Sequence, residues 1–484
     1  MGRLTEEQVE RIAHSLAGRL GLQNTSQGTA TGVSQTSLDT GVHTEGSFPS
    51  VDEAVEAAKT AFNRLHQGSL EQRKEIIVSI RSVMLKDSEA LAKLAHEETG
   101  LGRFEDKIKK NLLVTRKTPG TEVLKPAAVS GDRGLTVEEL APYGVIGAIT
   151  PMTNPSSTLI CNAIGMISAG NSIVFNVHPH AKRVGMRTVE LLNQAIRSAG
   201  GPSNLVTTVA DPTIKSAQEL MHHPNIRLLV VTGGPGVVRE AMKSGKRAIC
   251  AGPGNPPAVV DETADIDAAG RNIVLGASFD NNIICVDEKE AIVVDSVADA
   301  LLESMARHGA CVLNAAETRR LEREIFTAPL KPGEHVPVKK ELIGKNASAI
   351  LSSIGISVDA SIRLAVVDVA ATHPLVWTEQ MMPVLPVVRV RDADAAIDLA
   401  IKAEQGNGHT ASMHSKNLDN LSRMAREINC SIFIKNGPCY SGLGEGGEGD
   451  CSFTIASPTG EGLTDARSFS RIRRCVLIDH FRIV

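Results

Sequence analysis

The sequence predicts an α/β protein with two domains built on parallel sheets and a smaller β arm. From about residue 144 onward, short segments rich in β-branched residues alternate with helical segments, which is typical of a parallel sheet covered by helices. The alternation forms two blocks, the second of which spans about residues 258–434. A chain of 484 residues that is 42% apolar and 22% charged has the size and composition of a globular protein with several domains.

The strand pattern occurs in both blocks of the alternation. In the first block it covers residues 144–150, 172–176, 205–209 and 228–232, and in the second residues 258–261, 291–294, 384–390 and 431–435. Residues 51–115 have helical periodicity instead. Residues 470–479 form a basic and apolar strand pattern that needs a pairing partner, and an arm in an oligomer interface would provide one.

The first 47 residues differ from the rest of the chain. Residues 5–22 place their apolar side chains on one stripe, which predicts an amphipathic helix within residues 1–22. Residues 23–47 are rich in Gly, Ser, Thr and Gln, which predicts a flexible linker. The tethered helix is either a frayed end that rests on its own protein or a docking peptide for a groove on a partner, and the pattern leaves both open.

Composition excludes several classes of function. A net charge of −4 and 3% aromatic residues argue against nucleic-acid binding. No segment approaches the roughly 18 continuous apolar residues of a membrane span and no signal peptide is recognisable, so we expect the protein in the cytoplasm or in a compartment within it. The eight cysteines include no C-x-x-C pair. The histidine pairs at 178/180 and 222/223 lack a third ligand, so no metal site is predicted.

Three positions carry residue types suited to chemistry. Cys285 lies on a short polar connection between a helical segment and a strand, where it is either an exposed nucleophile or a small core residue. Asn154 follows a strand and precedes a helix, so its amide either donates to an oxyanion or caps that helix. Glu379 either accepts from a ribose hydroxyl or is solvated.

A glycine-rich turn at residues 232–236 also follows a strand and precedes a helix. Such a turn lets the backbone approach a pyrophosphate, although it lacks a full G-x-G-x-x-G pattern.

The order of these motifs resembles the aldehyde dehydrogenase superfamily over about residues 48–484. The resemblance rests on residues 150–155, 170–174, 231–234, Cys285 and residues 379–384. Four further segments are similar to the coenzyme A-acylating branch, which includes propionaldehyde and acetaldehyde dehydrogenases of bacterial microcompartments: residues 178–182, 252–257, 279–282 and 408–412.

The resemblance implies the aldehyde dehydrogenase fold, with two Rossmann-like parallel-sheet domains and a β oligomerisation arm. Residues 48–124 and 145–252 are expected to form the dinucleotide-binding domain, residues 253–463 the catalytic domain, and residues 125–144 and 464–484 the arm. A homo-oligomer, either a dimer or a tetramer, is expected.

The resemblance also implies roles for individual residues. Cys285 would attack the aldehyde carbonyl, and Asn154 with the Cys285 backbone N–H would hold the oxyanion. Hydride transfer to NAD would then leave a thioacyl enzyme. The residues expected to bind the cofactor are Thr150, Pro151, Asn176, His178, Pro179, Thr232, Gly233, Gly234 and Glu379. Asn176 replaces a lysine that commonly meets the adenosine ribose, and NAD is preferred here over NADP.

Departures from the family pattern narrow the expected reaction. Ala251 stands where hydrolytic members have the glutamate that activates water, so coenzyme A is expected to take the acyl group as the co-substrate. Propionaldehyde is the first choice of aldehyde and acetaldehyde the second. Hydrolytic oxidation to a free carboxylic acid is the enzymatic alternative. The non-enzymatic alternative is a scaffold that binds the microcompartment shell and has lost catalysis.

The N-terminal helix and linker look like the peptides that direct such enzymes into microcompartments. This resemblance favours docking over the frayed end, with shell or core proteins as partners and the microcompartment lumen as location. The glycine-rich segment 442–449 is expected to be a mobile loop near the acyl or coenzyme A entrance.

Overall fold

The structure, a computed structural model, describes residues 45–484. The predicted helix at 1–22 and all but the last three residues of the predicted linker lie outside the described residues. The helices, in chain order, are α1 (Val51–Leu65), α2 (Leu70–Thr99), α3 (Phe104–Lys117), α4 (Pro155–Ser168), α5 (Lys182–Ser198), α6 (Ile214–His222), α7 (Pro235–Lys243), α8 (Ile266–Ala277), α9 (Asp295–Arg307), α10 (Ala315–Ile325), α11 (Ala347–Ser353), α12 (Ala393–Ala403) and α13 (Leu418–Glu427).

The strands are two to nine residues long. In chain order they are β1 (Ser47–Phe48), β2 (Ala127–Gly131), β3 (Gly134–Pro142), β4 (Val145–Ile149), β5 (Ser172–Asn176), β6 (Val206–Val209), β7 (Ile226–Thr232), β8 (Ala248–Ala251), β9 (Pro257–Val260), β10 (Glu290–Val294), β11 (Ala310–Leu313), β12 (Leu364–Asp368), β13 (Val384–Val390), β14 (Thr410–His414), β15 (Ile432–Lys435), β16 (Ile455–Ala456), β17 (Gly462–Leu463) and β18 (Ser470–Ile478).

The first sheet is parallel throughout and, within residues 45–484, has the strand order β1-β6-β5-β4-β7-β8. The strands predicted in the first block are β4, β5, β6 and β7, and all four are present. Every residue of β4 and β5 is buried, because helices cover both faces of the sheet. β1 begins at Ser47, the last residue of the predicted linker, and Glu45 forms an ion pair with Arg197 at 2.6 Å. The body therefore begins slightly before the predicted boundary.

The second sheet is also parallel and, in the described part of the chain, has the order β11-β12-β13-β10-β9-β14-β15. Four of its strands, β9, β10, β13 and β15, coincide with the predicted segments. The segments that became β11, β12 and β14 were not predicted as strands. The mixed α/β class with two parallel sheets is thus confirmed, although the second sheet is larger than the sequence pattern indicates.

The arm is an antiparallel sheet with the order β18-β3-β2 in the described residues. It joins the two segments that were assigned to the arm, 125–144 and 464–484. β18 pairs with β3 along its whole length, from Ser470 opposite Pro142 to Ile478 opposite Gly134. The pairing partner of the terminal strand is therefore in the same chain, and an oligomer interface is not needed to satisfy its backbone.

The parallel sheet places several predicted site residues at one edge. Thr150 follows β4, Asn176 ends β5 and Thr232 ends β7, so all three lie at the carboxyl end of neighbouring strands. That edge is where open α/β sheets bind their ligands. α4, which is buried on all sides, begins at the same edge directly after Asn154. Among the helices of residues 45–484, none combines the length and apolar character needed to cross a membrane.

Candidate active site

A cavity of about 170 Å³ brings Cys285, Asn154 and Glu379 together. Apolar side chains from several distant segments form much of its wall, namely Ile283, Ile284, Met381, Leu443, Phe453 and Ile455. We call this space the Cys285 cavity. The sequence patterns identified Cys285, Asn154 and Glu379 but not these apolar residues, because the fold brings them together from positions far apart in the chain.

A strained turn delivers Cys285 to the cavity. Before it, in Phe279–Asn282, three successive residues adopt left-handed backbone angles: Asp280 (φ 43°), Asn281 (φ 56°) and Asn282 (φ 65°). The left-handed conformation costs a residue with a Cβ about 1–2 kcal/mol. Side-chain hydrogen bonds hold the turn, with Asn281 Nδ2 donating to Gly344 O (2.9 Å) and Asn282 Nδ2 donating to Ala277 O (2.8 Å). Strain held in this manner is common at functional sites.

The buried ammonium of Lys289 also holds this turn. Its Nζ donates to the carbonyl O (2.9 Å) and Oδ1 (2.7 Å) of Asn282 and to Ile284 O (3.2 Å). Lys289 was not predicted as a site residue, since a lysine in a polar segment usually faces solvent.

Cys285 keeps some contact with solvent through the cavity, yet its surroundings disfavour the thiolate. Burial raises the pKa of the Cys285 thiol to about 12, and the carboxylate of Glu379 adds to the rise, whereas Lys289 opposes it. At neutral pH the sulfur is therefore a thiol in this state of the protein.

Asn154 is held by contacts that rule out a simple capping role. It occupies the position before α4, but among the described residues its side chain makes no capping hydrogen bond to that helix. Instead, its Oδ1 accepts from Lys110 Nζ at 2.7 Å, and its Nδ2 donates to Thr153 Oγ1 at 3.2 Å. With the oxygen held by an ammonium, the amide nitrogen is the polar atom left for the cavity. This arrangement suits donation to an oxyanion.

Glu379 lies on the wall of the Cys285 cavity. Its Oε1 accepts from the backbone N–H of Gly254 at 3.4 Å, and burial raises the pKa of its carboxyl. Gly254 is closely packed on both sides, since a Cβ there would lie 2.7 Å from the carbonyl oxygen of Cys285 and 3.1 Å from Cγ of His409. This glycine lets the chain that positions Glu379 pass directly beside the cysteine.

A second and larger cavity, of about 670 Å³, opens along the carboxyl end of the first sheet. We call it the sheet-edge cavity. Eight of the nine residues predicted to bind the cofactor line it: Thr150, Pro151, Asn176, His178, Pro179, Thr232, Gly233 and Gly234. Glu379 is the ninth, and it belongs to the neighbouring Cys285 cavity. The two cavities share wall residues, including Pro151, Thr232 and Gly233.

The sheet-edge cavity has features that fit a dinucleotide. Its volume lies in the range of about 300–1,000 Å³ that is usual for ligand pockets. α7 begins on its wall directly after Gly233 and Gly234, so backbone N–H groups and the helix dipole are available to an anionic pyrophosphate. Asn176 is held by a hydrogen bond from Ser216 Oγ to its Oδ1 (2.6 Å).

One wall of the sheet-edge cavity was missed in the sequence. It is a single face of α6, formed by Ile214, Ala217, Gln218 and Met221. Their spacing of three and four residues marks a helix face. Ile214, on this wall, is 80% exposed.

The segment that begins at Ala251 leads from β8 to the wall of the Cys285 cavity. Ala251 ends β8 and is buried, and the next two residues, Gly252 and Pro253, line the Cys285 cavity. In the described part of the chain, the titratable groups on that wall are Cys285 and Glu379.

The segment 442–449, expected to be a mobile loop, is anchored by Lys117. Its Nζ donates to the carbonyl oxygens of Gly444 (2.5 Å) and Gly447 (3.0 Å).

Known proteins share this sequence and fold. The model of the aldehyde dehydrogenase family matches residues 39–454. Acetaldehyde dehydrogenase (acetylating) EutE of Salmonella typhimurium is 52% identical over 444 residues, which cover 92% of this chain and 94% of that protein.

Two solved structures superpose closely. Propionaldehyde dehydrogenase of Rhodopseudomonas palustris, solved with bound coenzyme A and an acylated cysteine, has a TM-score of 0.87 and 49% identity, covering 90% of this chain and 98% of its own. Propionaldehyde dehydrogenase from the fucose utilisation microcompartment of Clostridium phytofermentans has a TM-score of 0.88 and 45% identity, covering 91% of this chain and 100% of its own. With a family model that matches most of its length and a relative half identical over nine-tenths of it, the chain belongs to the aldehyde dehydrogenase family.

Proposed function

We propose that this protein oxidises a short-chain aldehyde to an acyl-coenzyme A, with reduction of NAD, through a thioacyl intermediate on Cys285. The observation that carries the proposal is the placement of Cys285 and the Asn154 amide on one small cavity that shares its wall with a cavity of dinucleotide size. The acylated cysteine and bound coenzyme A of the Rhodopseudomonas relative support the same chemistry.

The first half of the reaction is addition to the aldehyde. The Cys285 thiol gives its proton to solvent water, its sulfur forms a bond to the carbonyl carbon, and the π electrons of the C=O bond move to the oxygen, which becomes an oxyanion. The Asn154 amide and the Cys285 backbone N–H donate to that oxygen. NAD, when bound, would supply acceptance of the hydride from the same carbon, and Thr232, Gly233 and Asn176, which line the sheet-edge cavity, would hold it. Loss of the hydride restores the C=O bond and leaves a thioester on Cys285.

The second half is thiol exchange. The thiol of coenzyme A forms a new sulfur–carbon bond, Cys285 departs as the leaving group, and the proton lost by one thiol is regained by the other. A thiol needs less activation than water does, which agrees with the alanine at position 251. The small, apolar-walled cavity suits a short acyl chain, and we propose propionaldehyde as the main substrate with acetaldehyde as the second.

Hydrolysis to a free acid is the alternative reaction. Glu379 lies on the same wall, and its raised pKa makes its carboxylate a stronger base for activating water.

The two reactions are separated by their products. Purified protein is incubated with propionaldehyde and NAD, with and without coenzyme A, and both NADH and products are measured. We expect propionyl-coenzyme A as product, sustained NADH formation only with coenzyme A, and no activity in Cys285→Ala. Equal NADH formation without coenzyme A, with propionate as product, would overturn the proposal. Two- to four-carbon aldehydes compared in this assay test the substrate preference.

For the segment outside the described residues, we propose that residues 1–22, predicted from the sequence to form an amphipathic helix, dock on shell or core proteins of a bacterial microcompartment and so direct the enzyme to the lumen. The microcompartment origin of the Clostridium relative supports this. Deleting residues 1–22 is expected to leave kcat unchanged and to prevent co-purification with shells. Co-purification of the truncated protein would contradict the targeting role.

We further propose that copies of the chain form a dimer or tetramer joined by the arm, the antiparallel sheet of β18, β3 and β2.

A further inference from the structure

A buried cluster of charges lies behind Asn154. Lys107 and Lys110 are one turn apart on α3, and each is only 2% exposed. Both ammonium groups contact Oδ2 of the fully buried Asp280, Lys107 at 3.1 Å and Lys110 even more closely. Asp106 attracts Lys107 only at longer range, because its shortest ion pair, at 2.7 Å, is with Arg363. Two buried cations therefore face one carboxylate, and a buried charge needs further partners.

The ammonium group of Lys110 also contacts Asn154 of the candidate active site. Besides Asp280, Lys110 Nζ donates to Asn154 Oδ1 (2.7 Å) and to the carbonyl oxygen of Thr153 (3.2 Å), so all three of its hydrogens are used. Lys107, its neighbour on the helix, makes no hydrogen bond to Asn154 in the described residues. The two ends of an amide are nearly the same size, and their orientation is set by their partners. An ammonium only donates, so it binds the oxygen and turns the NH₂ group away from itself.

We infer that Lys110 is the positioning residue for the Asn154 amide. Its charge-assisted hydrogen bond keeps Oδ1 turned away and leaves Nδ2 to serve the Cys285 cavity. Through Asp280, the same ammonium ties this amide to the turn that carries Cys285. The nucleophile and the amide thus share one buried anchor. This inference rests on the proposed function, in which Asn154 donates to the oxyanion.

A matched pair of variants tests it, Lys110→Met and Lys107→Met. Each leaves one lysine opposite Asp280, so the buried charge is balanced in both, but only Lys110→Met releases Asn154. We expect Lys110→Met to lower kcat on the order of 100-fold, as loss of an oxyanion donor does, with KM for the aldehyde changed less than about threefold. Lys107→Met should keep kcat within about threefold of the parent. Equal losses in the two variants would show a structural role and overturn the inference.

A double variant and a charged replacement separate positioning from general damage. In an Asn154→Ala background, Lys110→Met should lower kcat by no more than about threefold, because the group it positions is already gone. Lys110→Arg keeps a charged N–H donor and should recover part of the loss. A full additional loss in the Asn154→Ala background contradicts the inference, whether or not Lys110→Met alone is well folded.

The assay also keeps the two proposals apart. NADH formation reports on aldehyde oxidation whichever nucleophile later takes the acyl group, and so it tests Lys110 even if the product is a free acid. Wild-type protein that forms no acyl-coenzyme A contradicts the proposed function alone. Parental kcat in both Lys110→Met and Lys110→Gln contradicts the role of Lys110 alone.

Discussion

At the scale of single residues, Cys285 is surrounded by groups that oppose its ionised form, although its proposed role needs a nucleophilic sulfur. With a pKa raised to about 12, the thiol is the predominant form of Cys285 at pH 7 in the unliganded protein. Lys289 is the nearby charge that favours the thiolate, and Glu379 opposes it. The surroundings of Cys285 in the unliganded protein therefore favour the protonated thiol.

The high thiol pKa predicts how unliganded Cys285 responds to an alkylating reagent. The rate of iodoacetamide modification should rise about tenfold per pH unit between pH 7 and pH 10, because the thiolate is the reactive form and its fraction rises until the pH reaches the pKa. Mass spectrometry of the peptide that contains Cys285 measures this rate. Exposed Cys475 in the same digest controls for decay of the reagent. A plateau below pH 9 would show that the thiol is far more acidic than the structure indicates.

Gly254 is a second position where a single atom matters. Gly254→Ala places a Cβ 2.7 Å from the carbonyl oxygen of Cys285, and neither that backbone nor the buried ring of His409 can move away easily. We expect kcat to fall at least about tenfold, since displacing reacting groups by about 1 Å can cost on the order of 100-fold. Gly131→Ala is the control, because nothing lies within 4 Å of its added Cβ. Unchanged kcat in Gly254→Ala would mean that the cysteine segment shifts freely.

At the scale of elements, the turn at Phe279–Asn282 combines unfavourable backbone angles with a dense set of hydrogen bonds. Asn281 shows both sides of this balance, since its φ is 56° and its Nδ2 donates to Gly344 O and Asn346 Oδ1 at 2.9 Å each. The turn is stable because its surroundings over-determine it.

Two substitutions of Asn281 separate the backbone cost from the hydrogen bonds. Asn281→Gly and Asn281→Ala both lose the side-chain hydrogen bonds, but only glycine adopts a positive φ without strain. We expect the free energy of unfolding of the alanine variant to be about 1 kcal/mol lower than that of the glycine variant. Urea denaturation followed by circular dichroism measures the difference. Equal stabilities, or a more stable alanine variant, would indicate that the turn relaxes.

Elements differed in how far the sequence could predict them. β4, β5 and β7 are nearly continuous apolar runs in the core of a sheet, and this pattern was sufficient. β14 has the sequence TASMH, which contains one β-branched residue, and it forms a strand only because β9 and β15 pair with it. Pairing with strands that are distant in the chain leaves no pattern in the residues of β14 itself, so the sequence could not predict this strand.

The candidate site shows the same division. Cys285 and Asn154 stand next to recognisable strand ends and turns, and they do meet on one cavity. Glu379 lines the same cavity as Cys285 and as Thr232 and Gly233, two of the other residues expected to bind the cofactor, and its role toward a ribose stays a prediction. Lys110 and Lys289 were missed because a lysine in a helical or polar segment is normally solvated. Lys110 is buried because it pairs with Asp280, 170 residues along the chain. Lys289 is buried because it binds Asn282, whose strained backbone is not evident from the sequence.

At the scale of the whole molecule, the arm carries apolar side chains to the surface. Ile472, Val476 and Ile478 on β18 are each at least half exposed, and their even spacing puts them on one face of the strand. Exposed apolar groups of this kind mark interaction surfaces.

The arm predicts the effect of charge on assembly. Replacing Ile472 and Val476 together by Glu should give a particle of lower mass than the parent, because buried carboxylates without partners are costly in an interface. Size-exclusion chromatography with light scattering measures the mass. Arg473→Glu together with Arg471→Glu, on the other face of β18, is the control for added negative charge. An unchanged mass in the Ile472/Val476 variant would exclude this face of the arm from the interface.

The pairing of β18 with β3 has a consequence for biosynthesis. Arg474 and its strand partner Glu138 are 336 residues apart, so β3 leaves the ribosome long before β18 exists. During that interval the edge of β3 that β18 covers in the complete chain lacks this partner, and an unpaired strand edge is open to pairing with another chain. The arm is completed only after both parallel sheets have been synthesised. Pairing of β18 with β3 within the same chain then closes this edge.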